Sequence, residues 1–102
     1  MGYFAQLDDT DTVQQVIRIE NDVLGEDMLA FPDTEPVGRA FIANTLRLPG
    51  EWRQTSFHGS FRKRYAGIGY YFDRERDEFV PRGWTLINGE WTAPLEPEPA
   101  TQ

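Results

Sequence analysis

The sequence predicts an α+β fold: a small, mainly antiparallel sheet with one helix packed on it, C-terminal β-hairpins and an extended proline-rich arm. Three observations predict it. Apolar residues alternate with polar ones on both sides of an Asp/Thr turn near the N-terminus. One segment carries helical spacing between clear start and stop signals, and Asn88-Gly89 separates two aromatic runs near the C-terminus. At 102 residues the chain suits one small folded unit over residues 1–93, followed by a tail over 94–102.

The first element is a hairpin over residues 2–20, with Tyr3, Ala5 and Leu7 on one face of its first strand and Val13, Ile17 and Ile19 on one face of its second. Residues 23–33 mix Gly, Pro and acids with Met28, Leu29 and Phe31, which reads as a loop with apolar pegs. A helix follows over 36–48. Thr34 or Glu35 caps it, Pro36 suits its first turn, and Pro49-Gly50 stops it. Val37, Ala40, Phe41, Asn44 and Leu48 then share the face that lies on the sheet.

Residues 51–93 read as strands and hairpins. "EWRQTSF" is a strand, "HGS" turns the chain, and "YAGIGYYFD" is a further strand whose Gly67 and Gly69, two apart, share one face and leave a flat strip of backbone for a ring to cover. Two aromatic hairpins close the unit, one around Asp73 to Glu78 and one around Asn88-Gly89. In them Tyr71 opposes Phe79 and Trp84 opposes Trp91. The ending "APLEPEPATQ" alternates Pro with Glu and favours an extended polyproline-like arm containing Pro94 and Pro97.

Charge is unevenly spread along a chain of net charge −7. Residues 1–51 hold ten acids and three arginines (−7), residues 52–82 hold seven cations and four acids (+3), and residues 83–102 hold three acids (−3). Nine of the ten cations are Arg, the side chain best suited to bidentate, desolvated pairing. The expectation is that Arg53, Arg62, Lys63, Arg64, Arg74 and Arg76 dock on a partner. Gly67 and Gly69 would allow close approach, Trp84 and Trp91 would anchor, and Pro94 and Pro97 would belong to the gripping arm.

Chemistry finds little footing. With no cysteine there is neither a disulfide framework nor a thiolate metal site. The single histidine, His58, sits in a turn, and Ser56 and Ser60 near it lack any nucleophile signature. Asp8, Asp9 and Asp11, or Asp73, Glu75 and Asp77, offer oxygen ligands, but the second set alternates with arginines and lacks the spacing of a calcium loop, so both read as charged turns. The Gly-x-Gly of "AGIG" is followed by strand and turn rather than by the helix a dinucleotide loop requires. No catalytic residue, cofactor or metal is expected. Arginines interleaved with aromatics also describe a single-strand nucleic-acid platform, which the net negative charge disfavours. No stretch approaches the roughly 20 apolar residues of a membrane-spanning helix, and the N-terminus lacks the basic start of a secretion signal.

With those residues in view, the chain resembles a family of short, virion-associated proteins of tailed bacteriophages from marine and freshwater bacteria. The matching pieces are "YFAQLDDTDTVQQVIRIEND", then "EWRQTSFHGSFRKRYAGIGYYFDRERDEFVP" with its Tyr65 to Tyr70 string, and "GWTLINGEWTAP". Members often carry a longer proline-containing link before the last Trp hairpin, where this chain has only Arg82-Gly83. The resemblance implies a non-enzymatic virion protein assembled in the host cytoplasm. Its expected role is capsid decoration or cement on the major capsid protein or other virion proteins, with a homotrimer as an arrangement that would suit a capsid; a tail or tail-fibre accessory protein is the alternative, and a nucleic-acid-binding phage protein a further one.

Overall fold

A computed structural model describes residues 2–94. Strands β1 (Gly2–Leu7) and β2 (Val13–Ile19) form the N-terminal hairpin. Its turn is organised by one carboxylate: Asp8 accepts from the backbone N–H of Thr10 (2.8 Å) and Thr12 (3.0 Å), from the Thr10 hydroxyl and from Gln14 Nε2. A side chain that bonds its own turn in this way is what makes Asp favourable there.

The hairpin pairs Gln6 with Gln15 but Leu7 with Val13, so Gln14 is an extra residue in β2. This bulge corrects the predicted faces. Because side chains alternate strictly, one inserted residue puts Val13 on the Ala5 and Leu7 side, while Ile17 and Ile19 lie with Phe4 on the other. Strand β3 (Glu51–Thr55) pairs antiparallel with the opposite edge of β1, giving the order β2-β1-β3. β1 is therefore the central strand and is covered on both faces.

One face packs on helices. After α1 (Asn21–Leu24), a single turn where a loop was expected, the chain turns through Gly25 and enters α2 (Thr34–Phe41), which continues as a π-helical turn over Ile42–Leu46. The helical run thus spans 34–46 rather than 36–48. It ends where Arg47 adopts φ 56°, just before Pro49-Gly50. Its buried stripe is Thr34, Gly38 and Ile42, with Val37 and Phe41 half-buried. Ala40 and Asn44, expected inward, are exposed.

Gly38 explains that rotation: a Cβ there would sit 2.1 Å from Phe4 Cζ, so the helix backbone rests directly on the ring. Leu24, Ile42, Phe4, Ile19 and Trp52 make this core. Neither Thr34 nor Glu35 caps α2. Both side chains instead reach β3, Thr34 Oγ1 to Gln54 Oε1 (2.8 Å) and Glu35 Oε2 to the Gln54 N–H (2.6 Å).

The second core, Ala5, Leu7, Val13, Ala66, Phe72 and Phe79, lies under the C-terminal part of the chain. Here β4 (Tyr71–Asp73) and β5 (Glu78–Val80) form one short hairpin, and β6 (Thr85–Ile87) and β7 (Glu90–Thr92) another. Both predicted hairpins exist, each out of the predicted register. Tyr71 faces Val80 while Phe72 faces Phe79, and Trp91 faces Leu86 while Trp84 precedes its strand.

The predicted strand "YAGIGYYFD" keeps only its last three residues. Tyr70 N–H donates to the Gly67 carbonyl (3.0 Å) across a turn in which Gly69 has φ 88°, a conformation suited to Gly at the third position of a type II turn. Gly67 and Gly69 therefore share no flat strip. The Tyr70 ring covers Gly67, and Arg82 packs on Gly69. The turn exists because the chain after it latches onto the first hairpin: Gly69 N–H to the Val13 carbonyl, Val13 N–H to the Tyr70 carbonyl, and Phe72 N–H to the Asp11 carbonyl, each 2.8 Å. Pro94 is exposed, whereas Pro97 and the rest of the predicted arm lie outside the described residues. Among the described residues no helix is long and apolar enough to cross a membrane.

Candidate functional site

The basic segment was the sequence's main candidate, and the structure folds most of it inward. Arg62 and Lys63 both have positive φ (55° and 73°), so the backbone twists sharply and sends the first side chain in and the second out. The Arg62 side chain is 9% exposed. Its guanidinium donates to Glu35 Oε2 (2.5 Å) and Oε1 (3.1 Å), to Asp77 Oδ1 (2.8 Å) and to the Gln54 carbonyl (2.9 Å). It also lies over the rings of Phe31 and Phe72, 5.0 and 5.3 Å from their centroids. Burial pulls its pKa down, but the bonds to Glu35 and Asp77 outweigh that, and the guanidinium is held charged.

Glu35 and Arg62 together do something the sequence did not announce. β3 is an edge strand, yet the N–H of Gln54 goes to Glu35 and its carbonyl to Arg62. The ion pair thus occupies the place of a neighbouring strand and covers backbone that would otherwise invite pairing.

Arg53, Arg64, Arg74 and Arg76 are also tied to the chain's own acids. Arg74 bridges Asp11 (2.8 Å) and Glu51 (2.6 Å), joining the N-terminal turn to β3. That bond is the chief reason the Glu51 carboxyl lies below its usual range. Arg53 pairs with Glu51 (2.6 Å), and burial lowers its own pKa. Arg64 bonds the Phe79 carbonyl and Glu78, with its guanidinium 4.8 Å over the Trp84 ring.

Arg76 bonds Asp73, Glu75 and the Gly89 carbonyl, and Trp91 Nε1 donates to Asp73 Oδ2 (2.6 Å). Burial would raise the Asp73 pKa, but the bonds from Trp91 and Arg76 lower it overall. These contacts, with Trp91 beside Tyr71 (5.9 Å), dock the last hairpin on the body. Trp84 and Trp91 are thus internal anchors, and Lys63 alone of the three consecutive cations points to solvent without an ion pair among the described residues.

What the surface offers instead is apolar. Met28, Phe57, Ile68, Leu86 and Ile87 are exposed, Phe57 at 57%. Phe57 belongs to an aromatic cluster with Tyr3 (5.6 Å) and Tyr65 (5.3 Å), and His58 packs edge-on against it (5.2 Å, 84°). Ser56 Oγ accepts the Ser60 N–H (2.9 Å), which closes the turn rather than presenting a nucleophile to His58. Between this cluster and the 26–34 segment runs an open groove of about 520 Å³ walled by Tyr3, Leu29, Phe31, Phe57 and Phe61. Phe31 and Phe61 stack face to face, 3.7 Å apart. No group of acids and His that could hold a metal ion occurs among the described residues.

Comparison with known proteins identifies no relative. No protein-family model, no curated protein and no solved structure matches this chain. The functional reading therefore rests on the geometry above and on the sequence resemblance.

Proposed function

We propose that the chain is a non-enzymatic virion structural protein of a tailed bacteriophage, a capsid decoration or cement protein that bridges subunits of the major capsid protein. The observation that carries the binding reading is a division of labour. Guanidiniums that a catalytic or nucleic-acid site would display are spent on internal ion pairs, while Phe57, Ile68, Leu86 and Ile87 remain on the surface. Side chains placed so hold a stiff body together and leave anchors for a neighbour. The particle setting is supported by the Tyr65 to Tyr70 string and the flanking segments.

In this mechanism the docking force is apolar burial, with Lys63 and Arg82 steering from the rim. This revises the expectation that the whole basic segment pairs with an acidic coat surface, because Arg62 cannot leave Glu35 without exposing the β3 edge. The Pro- and Glu-rich ending of the sequence would supply a second contact with a neighbour. Tethered weak contacts of this kind gain through effective concentration, and a trimer would multiply them. A single-strand platform fits poorly: its cations would have to be free, and the chain's net charge of −7 repels a phosphate backbone.

The test is peptide mass spectrometry on purified particles after heads and tails are separated. Abundance near that of the major coat protein in heads is expected. A low count confined to tails moves the protein to the tail, and absence from both overturns the virion reading.

A further inference from the structure

The aromatic groove between residues 26–34 and 54–61 has a chemistry of its own. Its walls are rings and an aliphatic edge: Tyr3, Leu29, Phe31, Phe57 and Phe61. Its volume of about 520 Å³ lies within the few hundred to a thousand Å³ typical of ligand sites. No lysine or arginine lines it. The segment that forms one wall is acidic: Glu26 lines the groove, and Asp27 and Asp33, beside lining residues in the sequence, are exposed with no ion pair among the described residues. Phe31 is already covered by the Arg62 guanidinium and stacked on Phe61, so the ring open to a ligand is Phe57. Its face carries negative potential and, with the carboxylates of the 26–34 segment, selects a cation with apolar flanks.

The backbone narrows the choice further. β3 runs along the floor, but the outward N–H and carbonyl of Gln54 are taken by Glu35 and Arg62, and the Ser56 carbonyl accepts the Gly59 N–H (2.9 Å). A ligand therefore cannot add as a further strand at this edge. It has to be read through side chains, as extended or polyproline-type segments are read by aromatic grooves. The chain's own ending is a poor occupant, because Glu96 and Glu98 would face Asp27 and Asp33.

From this we propose that the groove binds an extended, Arg- or Lys-bearing segment of a partner protein, its apolar residues seated between Phe57 and Phe61 and its cation held by the Phe57 ring and the acidic 26–34 segment. The assignment rests on reading the chain as a binding protein and names the chemistry of one contact: a basic segment, not an acidic surface.

A random-peptide display library selected on the full chain tests it. The expected outcome is enrichment of peptides with net positive charge and proline or aliphatic residues. Their binding should weaken about tenfold in Phe57→Ser, the size of a strong cation–π contact, and weaken again in Asp27→Asn with Asp33→Asn. Asp27 and Asp33 are exposed and Phe57 is more than half exposed, so all three substitutions keep the fold, with a modest loss of stability at Phe57 from its contacts with Tyr3 and Tyr65, which urea midpoints check. Enrichment of neutral or acidic peptides, binding undiminished in Phe57→Ser, or no enrichment at all overturns the proposal. Failure here while the chain is still found on particles removes the groove alone. Selected cationic peptides with no chain on particles remove the particle reading alone.

Discussion

Replacing Arg62 with Met should destabilise the protein by about 3 kcal/mol. The substitution keeps an unbranched apolar stem and removes the guanidinium, and with it four hydrogen bonds to Glu35, Asp77 and Gln54. Breaking a buried pair by removing one partner costs roughly 3–5 kcal/mol, because the other charge stays buried and uncompensated. The low end applies here for two reasons. Asp77 is more than half exposed and loses little, and Glu35, at 12% exposure, still accepts the Gln54 N–H.

Set against a total stability of about 5–15 kcal/mol, the loss is large, and for a domain of this size it lowers Tm by roughly 12–24 °C. Glu35→Gln alone should cost about 1–2 kcal/mol, since an amide keeps one acceptor for Gln54. The double variant should lose at least about 1 kcal/mol less than the sum, the signature of direct coupling. Urea unfolding followed by Trp fluorescence measures all three, with Lys63→Ser as a surface control within about 0.5 kcal/mol of the parent. A loss below about 1 kcal/mol for Arg62→Met, or strict additivity with Glu35→Gln, would refute the claim that this pair holds the β3 edge.

Gly38→Ala should cost about 1–3 kcal/mol, and Gly38→Val more, because the added Cβ meets the Phe4 ring at 2.1 Å; thermal denaturation decides, and an unchanged Tm would mean the helix can lift off the sheet at no cost. Asp8, Glu51 and Asp73 all titrate below their ordinary values of 3.8 for Asp and 4.5 for Glu, so the unfolded chain binds more protons in acid than the folded one does. Their stabilisation is complete above about pH 4.5 and is lost as pH falls through the lower folded values, which urea midpoints at pH 6 and pH 3 should show as a clear drop. Trp91→Phe removes the bond to Asp73 and should release residues 85–92 to fast amide exchange while residues 2–7 stay protected; equal loss in both would show that the last hairpin folds with the body.

How much of this was legible in the sequence depends on the kind of signal. The Asp8 turn, the helix with its Pro-Gly stop and the Asn88-Gly89 hairpin all follow from local chemistry, and all are present. Registers were not legible. The bulge at Gln14 has no local signature, yet it moves Val13 to the opposite face. The strand reading of Tyr65 to Asp73 failed because three backbone bonds to Asp11 and Val13, distant in sequence, reward a turn there instead.

For the site, composition showed that arginines cluster but not where their partners lie. Glu35 is 27 residues from Arg62, and Asp11 is 63 from Arg74. The excess of Arg over Lys was a usable hint of desolvated pairing, which the structure satisfies within the chain. The aromatic groove was invisible for the same reason: Tyr3, Phe31, Phe57 and Phe61 come together only after folding.

The central claim is that guanidiniums hold the body while apolar side chains do the docking, and rebinding of labelled protein to particles assembled without it tests this most directly. The paired change Phe57→Ser with Leu86→Ser should abolish most of the binding while lowering the urea midpoint only modestly, and the protein should stay folded under the assay conditions; Lys63→Ser with Arg82→Ser should lower only the association rate, in a salt-dependent way. Retained binding by the apolar variant, with loss in the cationic one, would contradict the account and return the docking role to charge.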